Sequence, residues 1–354
     1  MIHDLTVHGE LPAALSGRLL SIGPASSGGA DTSVIHCVQL DAGRAVSYES
    51  RSVITDDVAA SNLIVFGGSV LALGDGSPAY EVSFDLATVR RVDLAGQSRN
   101  LRADATRDPL TGDVHVLADA ADGRQAHVVV SAGAFTRTSR EICHAGAAIK
   151  ELAITPDCAV FVADGFVGVA PRSGNSDIVW IATGVSAPAL VHADDADDAV
   201  VVYAVTPALE KWMVSLSPTR LHREVLDPRP RHFAHATDRT LERRPRYLWS
   251  TGDGSVDMHD LVTGRRSNHD FESGSHPGDL VFVADSDRAG DEDGGWLVGV
   301  VYHVSGDVTD VVVLDAADIA HTALATIRIP RHTPRMLRST WVPNPERSHE
   351  GDRA

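Results

Sequence analysis

The sequence predicts an all-β protein, and three observations carry that expectation. Apolar residues come in short runs bounded by Gly, Asp, Ser or Pro, as at 62–66, 69–73, 199–205, 296–302 and 311–314, the pattern of strands separated by tight turns. No long apolar stripe repeats with a helical period, so neither a helical bundle nor an alternating α/β chain fits. The runs also fall into groups of four short strands, the rhythm of propeller blades.

Taken in order, the chain opens with a turn carrying Pro12 and a strand over 18–22. Runs at 33–40 and 44–50 flank Asp41-Ala42-Gly43, where glycine supplies the left-handed residue of a hairpin. Four strands are expected at 62–66, 69–73, 79–84 and 90–93, which together make one blade. The rhythm continues with 113–118, 125–131, 153–163, 178–181, 199–205, 212–216, 247–251 and 257–260. It ends in a meander over 280–283, 296–302 and 311–314.

With 354 residues, 43% hydrophobic and 22% charged, the chain can bury a large core. One propeller domain is expected over residues 1–343, followed by a polar tail at 344–354. The net charge of -17 argues against nucleic acid or an anionic membrane surface as a partner, since both require a positive face. Lys150 and Lys211 are the sole lysines. Cys37, Cys143 and Cys158 are too widely spaced for a disulfide framework or a zinc site, and read as core residues in a reducing compartment. The N-terminal stretch lacks a basic segment followed by an apolar one, and no run approaches the roughly 18 apolar residues of a membrane span. A cytoplasmic protein is expected, with a peripheral membrane patch left open.

Four phrases of the C-terminal region carry a resemblance: GDLVFV at 278–283, DGGWL at 293–297, LDA at 314–316 and PRMLRSTWVP at 334–343. In order and spacing they resemble the C-terminal signature of the carotenoid cleavage oxygenases, and HGELP at 8–12 with GRLLSIGP at 17–24 is similar to that family's opening. The resemblance implies a seven-bladed β-propeller closed by pairing N- and C-terminal segments. Because the chain is short for the family, it also implies a reduced loop dome over one face. The family holds one Fe(II) on the propeller axis with four histidines, a donor set that leaves positions open for dioxygen beside a conjugated double bond.

Matched phrase by phrase, those four positions are Asp104, Lys150, Ala189 and Arg338 in this chain, with His192 three residues beyond Ala189 as a shifted ligand. The acidic residues that stand behind the family's histidines match Asp75 and Asp279, with Pro228 at the third and loosest position. His144, His232, His235, His276 and His332 sit in no metal-binding spacing and read as surface or core residues. His144 and His332 precede matched positions by six residues, an offset of about 20 Å along a strand.

Asp104, Lys150 and Arg338 are expected to form an ion cluster at the axis, with no cofactor bound and no confident catalytic residue. The leading expectation is a propeller inactive for Fe(II)-dependent double-bond cleavage that binds an apolar or aromatic small molecule. The alternative is an active dioxygenase for carotenoid, apocarotenoid or stilbene-like double bonds, with Fe(II) in an atypical site. A third reading gives Lys150, beside Arg338, a nucleophilic role through a Schiff base.

Overall fold

The computed structural model describes residues 2–3, 5–25, 32–55, 59–86, 89–92, 94, 101–120, 123–131, 137–142, 147–172, 177–186, 188–236, 244–304, 308–329 and 338–344. Among the described residues, 30 strands form seven antiparallel sheets, and the helical content is one short turn at Ser286–Arg288. From the inside outward, blade I runs Asn62–Phe66, Ser69–Leu73, Ala79–Val82, Val89–Val92, and blade II runs Leu101–Arg107, Val114–Asp119, Gln125–Val130, Arg137–Ile142. Blade III is Ile149–Ile154, Cys158–Ala163, Phe166–Pro171, Val179–Ala182, and blade IV is Ala189–Ala196, Ala199–Val205, Leu209–Leu216, Thr219–Asp227. Blade V is Phe233–Ala236, Tyr247–Gly252, Ser255–Asp260, Arg266–Asp270.

The last two blades mix the chain ends. Blade VI is Ser275–Ala284, Gly295–His303, Val308–Asp315 and Ala325–Ile329, with N-terminal Val7–Gly9 added as its outer strand. Blade VII has C-terminal Arg338–Pro343 innermost, then Gly17–Pro24, Thr32–Asp41 and Arg44–Ile54, with Ile2–His3 outside. The closing register runs from Gly17 opposite Pro343 to Ile22 opposite Arg338. Each innermost strand touches those of its two neighbours around a complete circle. The fold is a seven-bladed β-propeller.

Burial follows position in the blade. Second strands are covered on both faces by adjacent blades, so Tyr247–Gly252 is buried throughout and Cys158–Ala163 nearly so. This is why they read as continuous apolar runs rather than alternating ones. Outer strands face water, as in Thr219–Asp227 and Arg266–Asp270. The cores lie between blades: Leu20, Ile22 and Ile35 of blade VII pack with Leu63, Val70 and Val82 of blade I, and Trp249 of blade V packs with Leu280, Leu297 and Val312 of blade VI. Apolar burial, the main stabilising term, is therefore placed around the axis and not on it.

Two sequence expectations need correction. Residues 153–163, expected as one strand, are a hairpin that turns at 155–157, where Pro156 and Asp157 break the run. The innermost strands Leu101–Arg107 and Phe233–Ala236 lie outside the apolar runs read as strands, although the phrase match sets Asp104 at the axis. The 41–43 hairpin is as expected, with Ala42 and Gly43 both at positive φ, 47° and 76°. Cys37 is buried and Cys158 partly so, both as free thiols, whereas Cys143, His144 and His332 lie outside the described residues, as does the tail beyond Asn344.

One close backbone approach links the core to the axis. A Cβ on Gly299 would lie 2.7 Å from the Asp279 carbonyl oxygen and 2.8 Å from the Leu280 Cα. Gly299→Ala is therefore expected to displace the Asp279 strand and cost about 1–3 kcal/mol of stability, read as a lower urea midpoint. An unchanged midpoint would mean that the two strands have slack to separate.

Candidate functional site

An innermost propeller strand has a neighbour on one edge only, so its other edge presents backbone N–H groups to the axis. In this chain carboxylates from the preceding blade accept from that edge. Asp75 Oδ1 accepts from Ala103 N–H at 2.9 Å, Asp104 Oδ2 from Leu152 N–H at 2.5 Å, and Glu151 Oε2 from Leu190 N–H at 2.6 Å. Asp279 Oδ2 accepts from Ser339 N–H at 2.7 Å, while Asn62 Nδ2 donates to Ala103 O at 2.9 Å. Blade I is thus tied to II, II to III, III to IV and VI to VII by side chains at one level of the axis.

Bulges aim these side chains. The register of the innermost strands shifts between Leu101 and Ala105, Ile149 and Glu151, Leu190 and His192, and Pro277 and Leu280. A bulge leaves one residue unpaired and re-aims its neighbours. At the second of these, Glu151 takes the inward role expected of Lys150. The Lys150 Nζ lies instead 3.4 Å from Asp164 Oδ2, with both side chains substantially exposed. The expected trio is therefore corrected to Asp104, Glu151 and Arg338, with Lys150 at its margin.

Two cavities meet at this level. The larger, about 650 Å³, is lined from all seven innermost strands, including Asp104, His192, His235, Asp279 and Arg338. The smaller, about 240 Å³, is lined by Asp75, Lys150 and Glu151 among others. Asn62, Asp104 and Arg338 border both and form the partition between them. Ala189 borders neither; it starts its strand opposite Val205 and brings only a methyl group.

The electrostatics are uneven. Burial, with the Glu151 carboxylate adding to it, pushes the Asp104 carboxyl up to about 8 against the opposing pull of the Leu152 N–H and Arg338. Burial likewise raises Glu151. Burial also works on Asp279, but His235, Arg338 and the Ser339 N–H outweigh it and hold that carboxyl below the ordinary range. The Arg338 guanidinium lies 5.8 Å from the centre of the Phe233 ring and, among the described residues, makes no ion pair or side-chain hydrogen bond.

Two histidines line the larger cavity, each against a carboxylate. His192 Nε2 lies 2.8 Å from Asp194 Oδ1, and His235 Nε2 is hydrogen-bonded to Asp279 Oδ1. His235 is the cavity-lining residue that sequence spacing missed, because its partner lies on the next blade. His232, by contrast, pairs at the surface with Asp253, and His276 is exposed.

Comparison with known proteins fits this geometry. The profile of the family described as retinal pigment epithelial membrane protein matches residues 181–343. A carotenoid cleavage oxygenase of Mycobacterium tuberculosis is 23% identical over 96% of this chain and 94% of its own length. The chain is thus similar to the carotenoid cleavage oxygenases along nearly its whole length, and to the family profile over residues 181–343. Among solved structures, lignostilbene dioxygenase from Pseudomonas brassicacearum superposes with a TM-score of 0.86 at 18% identity, covering 97% of this chain and 95% of that one. Cobalt-substituted apocarotenoid oxygenase of Synechocystis gives 0.85 at 16% identity, covering 96% and 95%. The Mycobacterium alignment runs over 475 positions against 354 residues here, so that carotenoid cleavage oxygenase carries insertions this chain lacks.

The four residues matched by phrase in the sequence differ in what they can donate. Asp104 brings a carboxylate already engaged with a backbone amide, Arg338 a guanidinium with no lone pair to give, Lys150 an ammonium turned to Asp164, and Ala189 no donor atom.

The Asp104 environment sets a pH dependence. Its folded carboxyl holds its proton more tightly than the ordinary value of 3.8, so its contribution to stability is complete below that value and is lost as pH rises toward about 8. Asp104→Asn, which keeps an acceptor for Leu152 N–H, is expected to flatten that decline and to be the more stable protein at pH 8. Urea titrations at pH 4, 6 and 8 measure this, and parallel curves for the two proteins would contradict the assignment.

Proposed function

We propose that this chain is a carotenoid cleavage oxygenase family member that does not carry out Fe(II)-dependent cleavage of double bonds and instead binds an apolar or aromatic small molecule in the larger axial cavity. The observation that carries the reading is Arg338, a guanidinium without an ion-pair partner among the described residues, at a position the phrase match gives to a metal ligand. A cation beside the site repels a dication, and the three other matched positions supply a single carboxylate. Leu152, Leu190, Val281, Phe282 and Trp341 give the cavity apolar walls, and about 650 Å³ is within the range of small-molecule sites. With Cys37 and Cys158 as free thiols, the reading places this binder in a reducing compartment such as the cytoplasm. Among the described residues, no helix is long and apolar enough to cross a membrane.

A second reading rests on His192 and His235. A histidine held by a carboxylate is the usual arrangement behind a metal ligand, and both line the cavity. Under that reading the chain is a dioxygenase for carotenoid, apocarotenoid or stilbene-like double bonds with Fe(II) in an atypical site. For Lys150 as a nucleophile, its place in the smaller cavity beside Asp164 gives no support.

Expression with ferrous iron and elemental analysis of the purified protein separates the readings. Far less than one iron per chain is expected, with no cleavage of an apocarotenal or a stilbene. Near-stoichiometric iron that is lost in His192→Ala or His235→Ala would establish the second reading instead.

A further inference from the structure

We infer that the larger axial cavity takes an aromatic or extended apolar carboxylate, with the carboxylate seated on Arg338 and the apolar body along the walls toward Trp341. This rests on the reading of the cavity as a small-molecule site and adds the charge and chemical class of its ligand. A guanidinium presents five N–H donors, and in this partly enclosed position those of Arg338 have no protein acceptor among the described residues. Phe233 covers it at 5.8 Å, a contact that leaves the in-plane donors to be satisfied by something else.

The nearby carboxylates do not satisfy them. Asp104, Glu151 and Asp279 are each committed to a backbone N–H of the next blade, and Asp279 also to His235. Burial holds the first two toward their neutral forms, and His235 faces the charge of the third. Arg338 feels the field of Asp279 without pairing with it, and among the described residues its guanidinium is left without a hydrogen-bonded acceptor at the border of the cavity.

Carboxylate suits this better than a phosphate ester. One fork matches one carboxylate with two parallel hydrogen bonds, and the Asp279 carboxylate bordering the cavity disfavours a second negative charge. A simple inorganic anion would leave Leu152, Leu190, Val281, Phe282 and Trp341 against water.

The test uses trans-stilbene-4-carboxylate and its neutral carboxamide, titrated calorimetrically at pH 7 into the full chain and into Arg338→Gln and Arg338→Lys. The acid is expected to bind the unaltered protein at least about tenfold more tightly than the amide, the range of a hydrogen bond to a charged group. Arg338→Gln should erase that preference, with an unchanged urea midpoint certifying the fold of the variant; Arg338→Lys should keep part of it. Equal affinity for acid and amide, or a preference that survives in Arg338→Gln, overturns the inference and leaves an apolar-ligand site standing. Absence of binding by both up to about 1 mM overturns the inference and the small-molecule reading together.

Discussion

The free edge of each innermost strand is the constraint on which the axis depends. A blade packs both faces against its neighbours, but the strand nearest the axis has no further strand to pair with. Its N–H groups need acceptors, and the carboxylates of Asp75, Asp104, Glu151 and Asp279 supply them across blade boundaries. The polar lining of the cavities is thus a structural necessity before it is a functional one. Chemistry at the axis is built from whatever that requirement leaves over, which here is chiefly Arg338 and two carboxylate-backed histidines.

This explains which parts of the molecule were legible in the sequence. Strands sandwiched between blades, such as Ala199–Val205 and Gly295–His303, are apolar on both faces and stand out as runs. The closing pair of N- and C-terminal segments was legible through motif likeness, and its register sets Arg338 opposite Ile22. Strands that line the axis mix apolar and polar residues, as in ALVHADDA and LRADATR, and no periodicity marks them. Lys150 and Glu151 could not be told apart because a bulge decides which of the two turns inward, and a bulge leaves no mark in composition. His235 was invisible for a different reason: its meaning comes from Asp279, 44 residues away on another blade.

The arrangement also shows how one scaffold can change its axial chemistry without losing its shape. The inter-blade cores hold the ring, while Asp104, Glu151 and Arg338 border the axial cavities. Asp104 keeps its tie to Leu152 whatever its protonation state, since either form retains an acceptor oxygen. Substitution at the axis is therefore tolerated so long as the edge amides stay satisfied, and fold stays separable from activity.

The mixed composition of blade VII has a consequence for biosynthesis. Gly17–Pro24 is translated some three hundred residues before its inner neighbour, Arg338–Pro343. Until its partner is made this largely apolar strand carries an open edge, and the ring cannot shut around the axial cavities before residues 338–343 arrive. Contacts of such sequence separation form slowly. The nascent chain is thus most exposed to edge-to-edge association in the interval between completing blade VI and docking residues 338–343, and a chaperone that shields the N-terminal hairpin would act on that step.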